Sequence, residues 1–143
     1  MQGTEIARRL ADIDVFASLP ETARQDLAGR ATRLQFRPGS IITEQGGDGA
    51  SFNLITEGTA VVEVDGVERI TLGVGDYFGE IALIDHQPRS ATVRAGADGA
   101  RVAGMSALNF SPLLDVPAVA RGLLAVVCAR LRKVEATQRT QAI

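Results

Sequence analysis

The stretch FGEIALIDHQPRSATV, from Phe78 to Val93, gathers residue types that meet the separate demands of one kind of ligand. Gly79 has no side chain, so the backbone there can come close to a bound molecule. The run from Glu80 to Ile84 suits a short helical turn, whose first amides have no partner inside the helix and offer a site for an anion. Arg89 follows Pro88, which stiffens the approach, and a guanidinium presents two parallel donors to two phosphate oxygens. Ser90 adds a hydroxyl donor. Glu80 is out of place if only an anion binds, because its carboxylate repels phosphate, and a sugar hydroxyl donating to it resolves the conflict. A phosphate beside a sugar describes a nucleotide. Taken singly the same residues are ordinary: a Glu and an Arg nine residues apart in a loop most often form a weak ion pair or nothing, and Gly79 alone is a turn residue. Only the ensemble is specific.

The remaining composition narrows the chemistry. A chain of 143 residues, 45% apolar and 22% charged, fits one domain with one sizeable core. A formal net charge of −2 lacks the basic excess that phosphate neutralisation requires, so direct DNA binding is not expected. One cysteine, Cys128, excludes an intramolecular disulfide or a multi-cysteine zinc site, and its aliphatic neighbours mark it as a small core or interface residue. A lone histidine, His86, argues against a metal-dependent jelly-roll enzyme, which needs two or more imidazoles. No nucleophile stands beside a base, so the expectation is no catalytic residue, no metal, no cofactor and no enzymatic activity. No signal-peptide stretch opens the chain, and no run approaches the roughly 20 apolar residues of a membrane span, which points to a soluble cytoplasmic protein. Abundant Ala, Arg and Gly with little Lys hint at a bacterial genome.

Elements must position these residues. From Thr4 to about Val15, Ile6, Leu10 and Ile13 recur at helical spacing, with Thr4 as the cap and Phe16 beginning a turn. Glu21 to Ala31 forms a second helix with Ala23, Leu27 and Ala31 on one face. Beyond Pro38 come short β-rich runs with glycine turns: Ser40 to Thr43, Phe52 to Thr56, Thr59 to Val64, Glu68 to Leu72, Ser90 to Ala95 and Ala100 to Ala103. Asp65 and Gly66 favour a hairpin. The expected fold is mainly β, an antiparallel sandwich or barrel flanked by helices. From Pro117 to about Thr137, Ala120, Leu124, Val127, Leu131 and Val134 form an apolar stripe on the longest helix, covered by the barrel or by a second subunit.

The segment GDYFGEIALIDHQPRSATVRA closely resembles the phosphate-binding cassette of the cyclic-nucleotide-binding domain family, found in catabolite-activator-type regulators, bacterial cyclic-nucleotide-gated channels and protein kinase A regulatory subunits. VFASLPETARQDLA is similar to the family's helical lead-in, and RPGSIITEQGGDGASFNLITEGTAVVEV to its first barrel strands. The resemblance implies an eight-stranded β-roll with N-terminal helices, a short phosphate-binding helix and a C-terminal lid helix. It divides the domain 1–143 into N-terminal helices at 1–37, a β-roll at 38–110 with the cassette at 78–93, and a C-terminal helical part at 111–143.

By the same resemblance Glu80 takes the ribose 2′-hydroxyl and Arg89 the cyclic phosphate, while Gly79, Ile81, Ala82 and Ala91 supply backbone contacts or shape. Ser90 stands where relatives preferring cyclic GMP often carry threonine, which leans towards cyclic AMP with cyclic GMP still open. Val62, Ile70 and Leu72 would wall the base. Arg130 either caps the base from the C-terminal helix or is a solvated helix residue. His86 and Asp85 fall in the cassette's variable, exposed part.

The implied function is non-catalytic binding of a 3′,5′-cyclic nucleotide, with the C-terminal helix repositioned to signal an effector protein. No effector segment follows, which leaves a stand-alone sensor, a fragment, or a homodimer paired through the C-terminal helix. The alternative from another class is a β-roll interaction module that no longer binds nucleotide. Such modules lose the cassette's acid or arginine, and both are retained here.

Overall fold

The computed structural model describes residues 1–47 and 51–142. Three short helices lead: α1 (Gly3–Leu10), α2 (Asp14–Ala17) and α3 (Glu21–Gly29). The single helix expected from Thr4 to Val15 breaks after Leu10, and Thr4 lies inside the first turn of α1 rather than capping it. One helix could present Ile6, Leu10 and Ile13 on a common face but would turn Val15 to the opposite side. The break lets all of them, and Phe16 of α2, become buried. Phe16 packs edge-on against Phe52 and Phe110, with ring centroids 4.7 Å and 5.9 Å away.

Among the described residues six strands form one antiparallel sheet: β1 (Thr32–Phe36), β2 (Ile41–Thr43), β3 (Ser51–Val64), β4 (Val67–Leu72), β5 (Tyr77–Phe78) and β6 (Thr92–Ser106). The order is β1, β6, β3, β4, with β2 also on β6 and β5 on β3. β1 replaces the end of the expected helical segment 1–37. It is a largely exposed edge strand whose alternation is too polar to signal itself. The runs expected as separate strands before and after Gly58 are one strand, and so are those on either side of Gly99. The pairing of β3 with β6 shifts register between Ile55 and Glu57 and again between Gly58 and Ala60. A Cβ on Gly58, at φ +77°, would meet the Gly99 carbonyl oxygen at 2.2 Å, so the two glycines let the paired strands bend together into a roll. Divided once each, at Gly58 and at Gly99, β3 and β6 give four segments, which together with β1, β2, β4 and β5 make the eight of the expected β-roll. Asp65 and Gly66 both adopt positive φ in the expected hairpin turn between β3 and β4.

Two apolar clusters hold the fold. One joins the helices to the roll through Phe16, Phe52, Leu54, Met105, Phe110 and Leu123. The smaller, made of Ile55, Ala60, Leu72, Val93 and Val102, lies within the roll, with Val62 and Phe78 packed on it.

After β6 come α5 (Ala107–Phe110), a 3-10 helix at Ser111–Asp115, and α6 (Pro117–Ala142). α6 corrects the sequence expectation. Its buried residues are Val119 and Leu123, whereas Leu124 is 66% and Leu131 56% exposed, with Val127 and Val134 also exposed. The docked face lies one position, about 100° of helical rotation, from the expected stripe. The buried contacts of α6 are made by its first turns, and the stripe is exposed among the described residues. Cys128 is likewise exposed rather than core. No single helix among the described residues is long and apolar enough to cross a membrane.

Candidate functional site

Between the roll and the segment after β5 lies a cavity of about 540 Å³. Its floor is aliphatic and comes from the sheet: Val62, Ile70, Leu72 and Val93 line it, so all three residues expected to wall a base are present. Its other wall carries every cassette residue expected to contact the ligand: Gly79, Glu80, Ile81, Ala82, Arg89, Ser90 and Ala91. The helical turn, α4 (Ala82–Asp85), begins two residues later than expected, and the fully buried Leu83 pins it to the core. Asp85 and His86 are exposed as expected, His86 ending α4 in the left-handed conformation.

Arg89 is the buried cation of the site, 9% exposed. Its backbone is fixed from the preceding loop: the Arg89 amide donates to the Gly47 carbonyl at 2.9 Å, and the Gly46 amide to the Arg89 carbonyl at 2.8 Å. Its Nη2 donates to the Ser51 carbonyl and, at 3.2 Å, to Ser51 Oγ. Its Nε is buried with no hydrogen-bond partner among the described residues. Burial lowers its pKa, and the charge of Glu80 opposes that shift. A desolvated guanidinium with an unused donor is a receptor for an anion. Gly79 makes room for it: at φ +89°, a Cβ there would lie 2.2 Å from Arg89 Nη1 and 2.5 Å from the Ser51 carbonyl oxygen.

Glu80 is not paired with Arg89 among the described residues. It accepts from Arg130 Nη1 at 3.0 Å, its side chain only 17% exposed. Arg130 also donates from Nε to Asp14 Oδ2 at 2.8 Å and from Nη2 to Asp14 Oδ1. Arg130 is thus held by two carboxylates and is not among the residues that line the cavity. Two carboxylates flanking a guanidinium hold it more strongly than an aromatic face does. The hydrogen bond from Arg130 lowers the Asp14 pKa, and that from Asp14, joined by Glu80, raises that of Arg130. Burial, reinforced by the charge of Glu80, raises the pKa of Tyr77.

Asp14, Thr43 and Ser51 escaped the sequence reading. Asp14 and Ser51 lie 116 and 38 residues from the arginines they hold, and no local pattern links such positions. Thr43 lines the cavity from β2. Its only signal was a polar residue ending an apolar run.

Residues 33–115 match the family described as the cyclic nucleotide-binding domain. The cAMP-dependent protein kinase regulatory subunit of Debaryomyces hansenii is 40% identical over 111 residues, covering 77% of this chain and 24% of that protein. That of Emericella nidulans is 35% identical over 107 residues, covering 73% and 26%. The chain spans about a quarter of the length of these relatives. They are fungal and lend no support to the bacterial origin expected from composition. Among solved structures, the regulatory domain of Toxoplasma gondii PKA co-crystallised with cAMP superposes with a TM-score of 0.68 at 27% identity, covering 90% of this chain and 50% of that one. The N-terminal domain of a transcriptional regulator from Streptomyces coelicolor A3(2) gives 0.73 at 28% identity, covering 88% and 94%.

Proposed function

Because the chain belongs to the cyclic nucleotide-binding domain family, we propose that it is a non-catalytic sensor that binds cyclic AMP between the cassette and the sheet. The observation that carries this is Arg89, a buried guanidinium with an unused Nε, sharing one cavity with the carboxylate of Glu80 above an aliphatic floor. The cyclic phosphate sits on Arg89 and near the first turn of α4, the ribose 2′-hydroxyl donates to Glu80, and the base lies on Val62, Ile70 and Leu72. Ile81 and Ala82 shape the phosphate side, with Ser90 and Ala91 beside it. Cyclic AMP is favoured by Ser90 and by the names of the relatives, and cyclic GMP is the competing ligand.

The whole chain acts as one domain, a reading supported by the cluster that joins α1, α3 and α6 to the roll. A ribose hydroxyl on Glu80 competes for the oxygen that Arg130 now holds, and α6 shifts in response. The shift is read by an effector protein in the cytoplasm. The exposed stripe of α6 is the surface available for that effector or for a second copy of the chain.

Calorimetric titration of nucleotide-stripped protein with cyclic AMP, cyclic GMP and 5′-AMP tests the proposal, alongside Arg89→Ala. Saturable binding of cyclic AMP near one per chain, weakened about a hundredfold by Arg89→Ala, is expected from the loss of a charged hydrogen-bonding group. Saturation by neither cyclic nucleotide would leave the fold as a protein-interaction module.

A further inference from the structure

We infer that Thr43 reads the edge of the base and so sets which cyclic nucleotide the cavity prefers; the inference rests on the sensor reading above and deepens it. Thr43 pairs with Val93 across β2 and β6, Val93 with Val62 across β6 and β3, and Val62 with Ile70 across β3 and β4. Directly paired residues share one face of a sheet, so these four form a continuous row, and all four line the cavity. Three are aliphatic and suit the flat face of any purine. Thr43 alone brings a polar group to the row.

The hydroxyl of Thr43 is buried and has no hydrogen-bond partner among the described residues. Buried polar groups in folded proteins are nearly always satisfied, so an orphan beside a cavity asks for a partner from the ligand. Neighbouring groups are already committed elsewhere. The Gln45 amide donates to Thr92 Oγ1, and the Gln45 side chain exchanges two hydrogen bonds with Asp65. Rotation of the threonine χ1 between staggered wells moves Oγ1 without moving the backbone.

Position assigns that partner to the base. The phosphate belongs at Arg89, whose backbone is bonded to Gly46 and Gly47. Thr43 pairs four residues further along, at Val93, a span of up to about 14 Å. A nucleotide held by its phosphate at Arg89 and its sugar at Glu80 extends its base along the floor towards this row. A hydroxyl can accept from an exocyclic amine or donate to a ring nitrogen or carbonyl, which are the groups that distinguish adenine from guanine.

The test is calorimetric binding of cyclic AMP and cyclic GMP to the stripped full chain, its Thr43→Val variant, which keeps the shape and loses the hydroxyl, and Thr43→Ser, which keeps the hydroxyl. In Thr43→Val the nucleotide preferred by the unaltered protein is expected to weaken about tenfold and the other by much less, narrowing the ratio. Thr43→Ser retains the ratio. Equal changes for both nucleotides, or an unchanged ratio in Thr43→Val, would make Thr43 a packing residue and overturn the inference while leaving the sensor intact. Failure of the unaltered protein to bind either nucleotide overturns the inference together with the reading beneath it.

Discussion

Nη1 of Arg130 lies 3.0 Å from Oε1 of Glu80, joining the last helix to the acid of the cavity. The same guanidinium grips Asp14 at the start of α2. Three elements far apart in sequence therefore meet at one cation. The apolar docking of α6 is carried by Val119 and Leu123, with Val126 partly buried against the same core. Arg130 is thus a polar tether beyond the packed part of the helix, attached to a residue that a ribose hydroxyl would also engage.

Arg130→Met tests this tether. Partly exposed ion pairs are worth little, so a stability loss of about 1 kcal/mol is expected, with cyclic AMP still bound. In the unaltered protein the nucleotide should change hydrogen-exchange protection along α6, and in Arg130→Met that response should vanish. An equal response in both proteins would mean the signal travels by another route.

Acid should release the same cluster. The Asp14 carboxyl is held below its ordinary value of 3.8, first by the hydrogen bond from Arg130. Its folded-state pKa is depressed, so its contribution to stability is complete above the unfolded value and is lost as pH falls through the folded one. Urea midpoints for the unaltered protein and Asp14→Asn should differ near neutral pH and converge below pH 3.8. A gap that persisted unchanged into strong acid would show that the Asp14 carboxylate is not its source.

Gly79→Ala should damage binding and stability together. A side chain at this positive φ is strained, and its Cβ would collide with the Ser51 carbonyl oxygen and the Arg89 guanidinium. Backbone strain of this kind costs about 1–3 kcal/mol, and displacing Arg89 should weaken cyclic AMP at least about tenfold. Denaturant unfolding and calorimetry measure the two effects, and wild-type values in both would refute the close approach.

Adjacent leucines on α6 should behave oppositely. Leu123 is buried and Leu124 is 66% exposed. Leu123→Ala should cost about 2–4 kcal/mol, as core truncations do, and Leu124→Ala should fall within about 0.5 kcal/mol of no change. A large loss at Leu124 in dilute protein would indicate that the stripe is covered, and a mass measurement in solution would show whether a second copy covers it.

The local features were legible because each is written in neighbouring residues. The cassette needs its glycine, acid and arginine within one short stretch, the hairpin needs Asp65 and Gly66 side by side, and the strands show a period of two. The family follows from these, and so do the cassette residues that line the cavity. Periodicity also located α6, but it could not choose between faces one residue apart, because both the Val119 and Ala120 registers are apolar at helical spacing. Tertiary structure decided that choice by giving the helix an apolar partner on the face of Val119 and Leu123. It also decided the company of Arg130. An arginine's partner depends on which carboxylates folding brings within reach, and Asp14 is 116 residues away in the chain. Thr43 belongs to the same class: its hydroxyl becomes notable only when the register of four strands sets it in an aliphatic row beside a cavity, a long-range pairing that no local pattern encodes.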